Sequence, residues 1–525
     1  MPRQGFWRMI LPRDGWHIFA ARIFLGLRKH LSLVILVLVS VAWHVLFAAN
    51  ASPNIFPDTG SYVLLAEALV KGEWPDPGFA FRTPGYPAFL LIIFTCFGWK
   101  NWYAVMWIQY ALAACIPVLL YFLFLPLARR PALAAVGAGA YFLDRYSLAL
   151  PTVPLTEFLS AFTVLLALTV FVYGFRSLRL AAAVLAGVVA AVCVLVRPSF
   201  QLLFYAMPVL IGGLTVCYSD LREKWKTVAQ WSLIFLLAFQ LPLWAWAWNV
   251  YRHIGVFALS VQLGASMTNH TGAFMEDAPD EFAKIRDIYV AERNARNGNH
   301  INLFDQSAWK ICEATGLTKW QLSLKFHEIN KFLLPRHLTR YFEQVRQAWV
   351  RMWTEDSRYI TDWTDPDGSG TGRFEATRLF RFIVEQRALR MLYWPIEKFL
   401  WNNRVLLLVI PYLLLGLSAY LFGRRRSEPL GVLVAVVIPL AVLYHVLVHI
   451  AVQFTEFGRY RLPVQPLWFS FLGFGVLCVI SDMWLWARDL FGKNTVSDAG
   501  LKGATDMPKH HSRAKSQRGN RTRTR

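Results

Sequence analysis

The chain has 525 residues, of which 56% are apolar and only 17% charged. That balance excludes an ordinary water-soluble globular protein and makes a bilayer the main solvent. The formal net charge of +21 does not mark a nucleic-acid binder, because the Lys and Arg residues fall in short clusters between apolar runs and in one tail, as membrane topology demands.

Six cysteines are scattered along the chain, five of them in apolar runs, with neither a disulfide framework nor metal-ligand spacing. At the N-terminus, Arg3, Arg8, Arg13, Arg22, Arg28 and Lys29 precede a long apolar run without a small-residue cleavage site, which predicts an uncleaved cytoplasmic start. A helical span needs roughly 20 mostly apolar residues, since the hydrocarbon core is about 30 Å thick and its backbone amides must bond internally. By that measure residues 31–49, 102–127, 131–143, 157–174, 180–196, 200–217, 228–248, 401–422, 430–452 and 464–486 are expected to cross, about ten helices in all. The run 86–98 is too short for a comfortable span and follows a Pro-Gly-Tyr-Pro break, so it is expected to be re-entrant or interfacial.

If that run does not cross, Arg129 and Arg130, Arg176 and Arg179, the 222–226 loop, Arg424 to Arg426 and the tail all share the N-terminal, cytoplasmic side. The segments 50–84, 144–156, 251–399 and 453–463 then lie outside. The expected fold is an all-α integral membrane protein. Its parts are an N-terminal transmembrane module (1–250), an extracytoplasmic helical region (251–399), C-terminal transmembrane helices (400–487) and a basic, disordered cytoplasmic tail (488–525) suited to anionic lipid. Amphipathic patterns near 280–296, 306–332 and 338–353 predict helices that lie on the bilayer or cap a cavity below it. Between them, the Asp-rich stretch 361–370 reads as a solvated turn loop, its spacing not being that of an EF-hand.

The outer segments carry the pointed chemistry. The first reads Pro57-Asp58-Thr59-Gly60-Ser61-Tyr62 and re-enters at Phe81-Arg82-Thr83-Pro84-Gly85-Tyr86-Pro87; Asp58 is either an N-cap for the helix that follows or a site carboxylate. Glu157 opens an apolar helix at the outer boundary, where a helix-dipole role and a site role stand equal. The last loop, Glu456-Phe457-Gly458-Arg459-Tyr460-Arg461-Leu462-Pro463, holds two arginines outside, against the positive-inside bias. A guanidinium fork suits a phosphate, and lipid-headgroup anchoring is the alternative. Asn50-Ala51-Ser52 and Asn269-His270-Thr271 match glycosylation sequons. His445 and His449, one turn apart, lack a third metal ligand and fit a polar cavity or packing role.

Together these motifs resemble the GT-C superfamily of polytopic glycosyltransferases, in the branch of the protein O-mannosyltransferases and the lipid A aminoarabinose transferase. The resemblance rests on Asp58 followed by Tyr62 and Ala66-Glu67-Ala68-Leu69, on Arg82-Thr83-Pro84-Gly85-Tyr86-Pro87, on Thr156-Glu157, and on Glu456 through Pro463, in that order. It departs where Thr59 stands in place of a second acidic residue. It implies transfer of a sugar from a polyprenyl-phosphate donor to an extracytoplasmic glycan, lipid or protein, at the outer face of the plasma membrane, with inversion by single displacement. It makes Asp58 the base, its pKa raised in a partly dry cleft. Glu157 then positions hydroxyls or helps hold a divalent cation. Arg82, Arg459 and Arg461 hold the phosphate, Glu456 joins the substrate site, and Tyr62, Tyr86 and Tyr460 line the pocket. A transporter or flippase is one alternative; it calls for ionisable groups at mid-membrane and an internal repeat, neither of which the sequence shows, and a non-catalytic scaffold or receptor, with loop acids that merely cap helices, is the other.

Overall fold

The computed structural model describes residues 13–72, 80–355, 378–402, 404–454 and 456–500. The Asp-rich stretch 361–370, the first residues with Arg3 and Arg8, and the tail beyond Gly500 lie outside the described residues. Every regular element among those described is helical. Eight of the ten expected spans coincide with helices long and apolar enough to cross a membrane: His30–Ala49, Trp102–Phe124, Thr156–Ser177, Pro198–Cys217, Trp225–Ile254, Leu407–Arg425, Pro429–Val452 and Phe457–Arg488. The other two, Pro131–Leu143 and Leu180–Val196, are shorter apolar helices, as is Gly85–Phe97.

The basic turns meet at one end of these helices. Arg425 donates to the carbonyls of Leu127 and Ala128 at 3.3 and 2.5 Å, and the Tyr218 hydroxyl donates to the Arg426 carbonyl at 2.6 Å. The conspicuous acids and outer arginines gather at the other end. Helix Thr156–Ser177 carries Glu157 in its first turn and Arg176 in its last, about 30 Å apart at 1.5 Å per residue. Helix Pro429–Val452 likewise starts beside Arg425 and ends at Gln453.

Local sequence explains the breaks that shape the site end. Pro198 forces Arg197 into extended backbone (φ −146°, ψ 103°), ending helix Leu180–Val196 and projecting Arg197 from its tip. Gly85 starts its helix against that same tip: a Cβ there would stand 2.5 Å from the Val196 nitrogen, so only glycine lets the two backbones meet. Tyr86 then anchors the re-entry, fully buried, its hydroxyl donating to Gln109 at 3.2 Å while Gln109 donates to the Pro151 carbonyl at 2.8 Å.

The 251–399 region folds over this end as helices Gln262–Thr271, Ala283–Ala295, Leu303–Thr315, Lys319–Arg336 and Leu338–Thr354. They bury a core of their own around Phe274, Tyr289, Phe304, Phe326 and Leu333, so they are not merely spread on a bilayer surface. Phe81 packs against that core and against a second one, around Trp246 and Val250 at the end of a membrane helix. Asn269 of the second sequon is buried: its amide donates to Gln453 at 2.8 Å and accepts from the Asn302 nitrogen at 2.9 Å. That asparagine is closed to modification in this fold.

Residues from Val476 onward form a separate unit that carries the rest of helix Gln465–Gly500. The helix extends beyond residue 487, where the sequence placed the start of the tail. Within it Ile480, Met483, Trp484 and Trp486 are exposed, and Arg488 lies over the Trp484 ring at 5.6 Å.

Candidate active site

A cavity of about 1790 Å³ opens between the helix ends and the 251–399 region. Its charged wall is built around one guanidinium. Each nitrogen of Arg459 holds a different carboxylate: Nε meets Glu157 at 2.6 Å, Nη2 meets Asp58 at 2.8 Å and Nη1 meets Glu456 at 3.1 Å. Two further guanidiniums complete the set, Arg197 on Glu157 at 3.3 Å and Arg82 on Asp58 at 3.5 Å. Three acids and three arginines from four stretches of the chain therefore balance in charge. Burial makes the balance obligatory, since Glu157 and Arg459 keep only 1% and 6% of their side-chain surface exposed and a lone ion there is costly by several kcal/mol.

Asp58 lines the cavity and makes no capping bond to the helix Thr59–Lys71 that follows it. The expected rise in its pKa is not seen. Burial alone pushes the carboxyl up, but the guanidiniums of Arg459 and Arg82 outweigh burial and hold it below its ordinary value. Glu456 goes the other way: burial raises it, neighbouring Asp58 and Glu157 add to the rise, and its one guanidinium only partly compensates. Arg82 is steadied by Ser61 Oγ at 3.2 Å and the Tyr62 hydroxyl at 3.3 Å, and lies over the Tyr62 ring.

Of the residues expected at a site, Asp58, Tyr62, Arg82, Glu157, Glu456, Arg459 and Tyr460 line the cavity, whereas Tyr86 and Arg461 do not. Tyr86 sits behind Tyr62, its ring edge-on at 5.2 Å. Arg461 faces away and donates to the carbonyls of Met352, Trp353 and Glu355 at 2.8, 2.8 and 3.3 Å. Met352 and Trp353 lie in the last turn of helix Leu338–Thr354 and Glu355 is its C-cap, so Arg461 serves a helix terminus.

Arg197 is the residue the sequence reading missed. Its signal was the one that exposed Arg459, an arginine at the outer end of a span, here in an Arg-Pro break. It also donates to Thr156 Oγ1 at 3.3 Å and approaches His449 Nε2 at 3.5 Å. A guanidinium can only donate, so His449 presents a bare Nε2 and carries its proton on Nδ1, toward the His445 carbonyl at 2.8 Å. His445 stacks on Phe200 at 4.6 Å and donates from Nε2 to the Tyr460 carbonyl at 2.8 Å. This pair therefore positions Arg197 and the 457–461 turn.

Among the described residues no group of three or more His, Cys, Asp or Glu side chains is placed to hold a metal ion. The three acids face guanidiniums instead, so the divalent cation suggested for Glu157 does not fit this arrangement. Away from the charges the cavity is walled by Val196, Leu243, Trp244 and Ala247, between helices Pro198–Cys217 and Trp225–Ile254, with Gln201, Tyr205 and Gln240 in the same wall. On the opposite side lie Asn269, Asn302, Phe304 and Lys319, from the 251–399 region.

That region also fixes the last loop. Arg351 donates to the Phe454 carbonyl at 2.9 Å and the Tyr341 hydroxyl to the Ala451 carbonyl at 2.8 Å. No protein-family model and no curated protein matches the chain. Among solved structures, the archaeal oligosaccharyltransferase AglB from Archaeoglobus fulgidus, in complex with an inhibitory peptide and a dolichol-phosphate, is similar over 90% of this chain, with a TM-score of 0.44 and 16% identity; the chain spans 52% of that protein's length.

Proposed function

We propose that the protein is a membrane glycosyltransferase of the GT-C type. It moves a sugar from a polyprenyl-phosphate donor to a hydroxyl of an extracytoplasmic acceptor, at the outer face of the plasma membrane. The observation that carries this reading is the placement of Arg82, Arg197 and Arg459 around one cavity, at the helix ends remote from the basic turns, with the apolar side chains of Leu243, Trp244 and Ala247 lining it along membrane helix Trp225–Ile254. A prenyl chain belongs against Leu243, Trp244 and Ala247. Its phosphate, at the boundary, needs the guanidiniums to hold it and to take up the charge that builds as it leaves.

A transporter reading gains nothing from the site, because its charged residues sit at helix ends rather than at mid-span. Asp58, kept ionised by Arg459 and Arg82, is suited to accept a hydrogen bond from the attacking hydroxyl and to align it. Glu157 stays with Arg459 and Arg197 as a buried brace. The test is donor consumption by purified protein in nanodiscs, over a panel of radiolabelled polyprenyl-phosphate sugars with crude envelope acceptors. Wild type is expected to turn over one donor, and Asp58→Asn, which leaves the attacking hydroxyl misaligned, to lose about 100-fold in kcat. A folded wild type that consumes none of them sinks the proposal.

A further inference from the structure

Among the carboxylates that line the cavity, Asp58, Glu157 and Glu456 meet Arg459, and they are not equivalent. Glu157 is held by two guanidiniums and closed off from solvent, and Asp58 is held by two. Glu456 has, among the described residues, a single ion pair, the longest of the three on Arg459, and keeps 30% of its side chain exposed. Its backbone is left-handed, at φ +53°, ψ 32°. Glutamate is poorly suited to that conformation, and strain of this kind persists only where the surroundings impose it, most often at functional sites. The surroundings here are the bonds from Arg351 and Tyr341 on one side of the turn and the helix Phe457–Arg461 on the other.

We propose that Glu456 is the group that takes the acceptor's proton, and that the donor phosphate releases it for this task by taking its place on Arg459 Nη1. This assignment rests on the glycosyltransferase reading above. The acceptor oxygen bonds to the anomeric carbon as that carbon's bond to the phosphate oxygen breaks. The electron pair leaves with the phosphate, onto Arg459, Arg82 and Arg197, and the hydroxyl proton passes to a Glu456 carboxylate oxygen. Before the donor arrives Glu456 is tied to Arg459, so the base becomes free only once there is a sugar to transfer. The upward displacement of its pKa, caused by burial beside Asp58 and Glu157, makes it a better proton acceptor than Asp58.

The test uses the full-length protein in nanodiscs with the donor that wild type consumes, and the variants Glu456→Gln and Glu456→Gly. Glycine removes the carboxylate and also relieves the left-handed backbone, so the Gly variant is expected to melt no lower than wild type. Both variants should lose about 100-fold or more in kcat while donor Kd changes less than about fivefold, the range in which a general base is worth removing. Formate added to the Glu456→Gly variant should restore at least a tenth of the lost rate, because a small carboxylate fits the vacated space. A Gly variant that keeps kcat within about threefold of wild type, or one that formate leaves unchanged, overturns the assignment. A wild type that consumes no donor overturns the glycosyltransferase reading itself and this assignment with it.

Discussion

Two arginines two residues apart do opposite work. Arg459 holds three carboxylates at the cavity, while Arg461 ends a helix of the 251–399 region. Replacing Arg461 with Gln removes charge-assisted bonds to helix-end carbonyls, a loss of about 1.5–3 kcal/mol, and should lower the melting temperature while leaving donor affinity unchanged. Arg197→Gln should weaken donor binding about tenfold or more and also lower the melting temperature, because it unbalances a buried cluster in which Glu157 keeps only Arg459. The two variants, measured side by side for melting and for donor Kd, separate the roles. Equal loss of donor binding in both returns Arg461 to the phosphate site. The sequence could not make this distinction, because both arginines carry the same outer-side signal and only tertiary packing decides which way each side chain turns. It singled out Asp58, Glu157 and Arg459 as candidates, and the three side chains meet in one cluster. It had no means of showing that two guanidiniums would outweigh burial and lower the Asp58 carboxyl.

At the scale of elements, hydropathy located the spans because the bilayer imposes one requirement on all of them. Proline and glycine located the breaks at Pro84-Gly85 and Arg197-Pro198. The 251–399 region was legible only as amphipathic helices, since what its apolar faces pack on is settled by contacts far apart in the chain. Gly264 is one such contact: helix Gln262–Thr271 crosses helix Lys319–Arg336 so closely that a Cβ there would lie 1.9 Å from the Ser323 carbonyl oxygen. Asn269, one turn further on, ties the same helix to Gln453 of the last loop. Gly264→Ala should therefore force the two helices apart, at a cost of about 1–3 kcal/mol. It should also reduce turnover by loosening the loop that carries Glu456 and Arg459. Hydrogen exchange over residues 262–271 and 319–336 checks the first part, and an exchange pattern identical to wild type refutes it.

For the whole molecule the decisive property is that the site and the basic turns lie at opposite ends of the same helices. Helix Thr156–Ser177 carries Glu157 and Arg176 in its first and last turns, and Arg425 and Tyr218 tie three basic turns together at the Arg176 end of the bundle. The positive-inside bias would put that end in the cytoplasm, and under the proposed function a lipid donor on the outer leaflet would then meet the guanidiniums directly. Sidedness is measurable without any substrate. In a background with its cysteines replaced, one cysteine at Lys71, on the rim of the cavity and exposed, should react with a membrane-impermeant maleimide in intact cells. One at Arg130, in an exposed basic turn, should react only after the membrane is opened. The reverse pattern would place Arg82, Arg197 and Arg459 on the cytoplasmic leaflet. Transfer would then have to occur inside, before any flipping of the product, and the acceptor would have to be sought among cytoplasmic molecules.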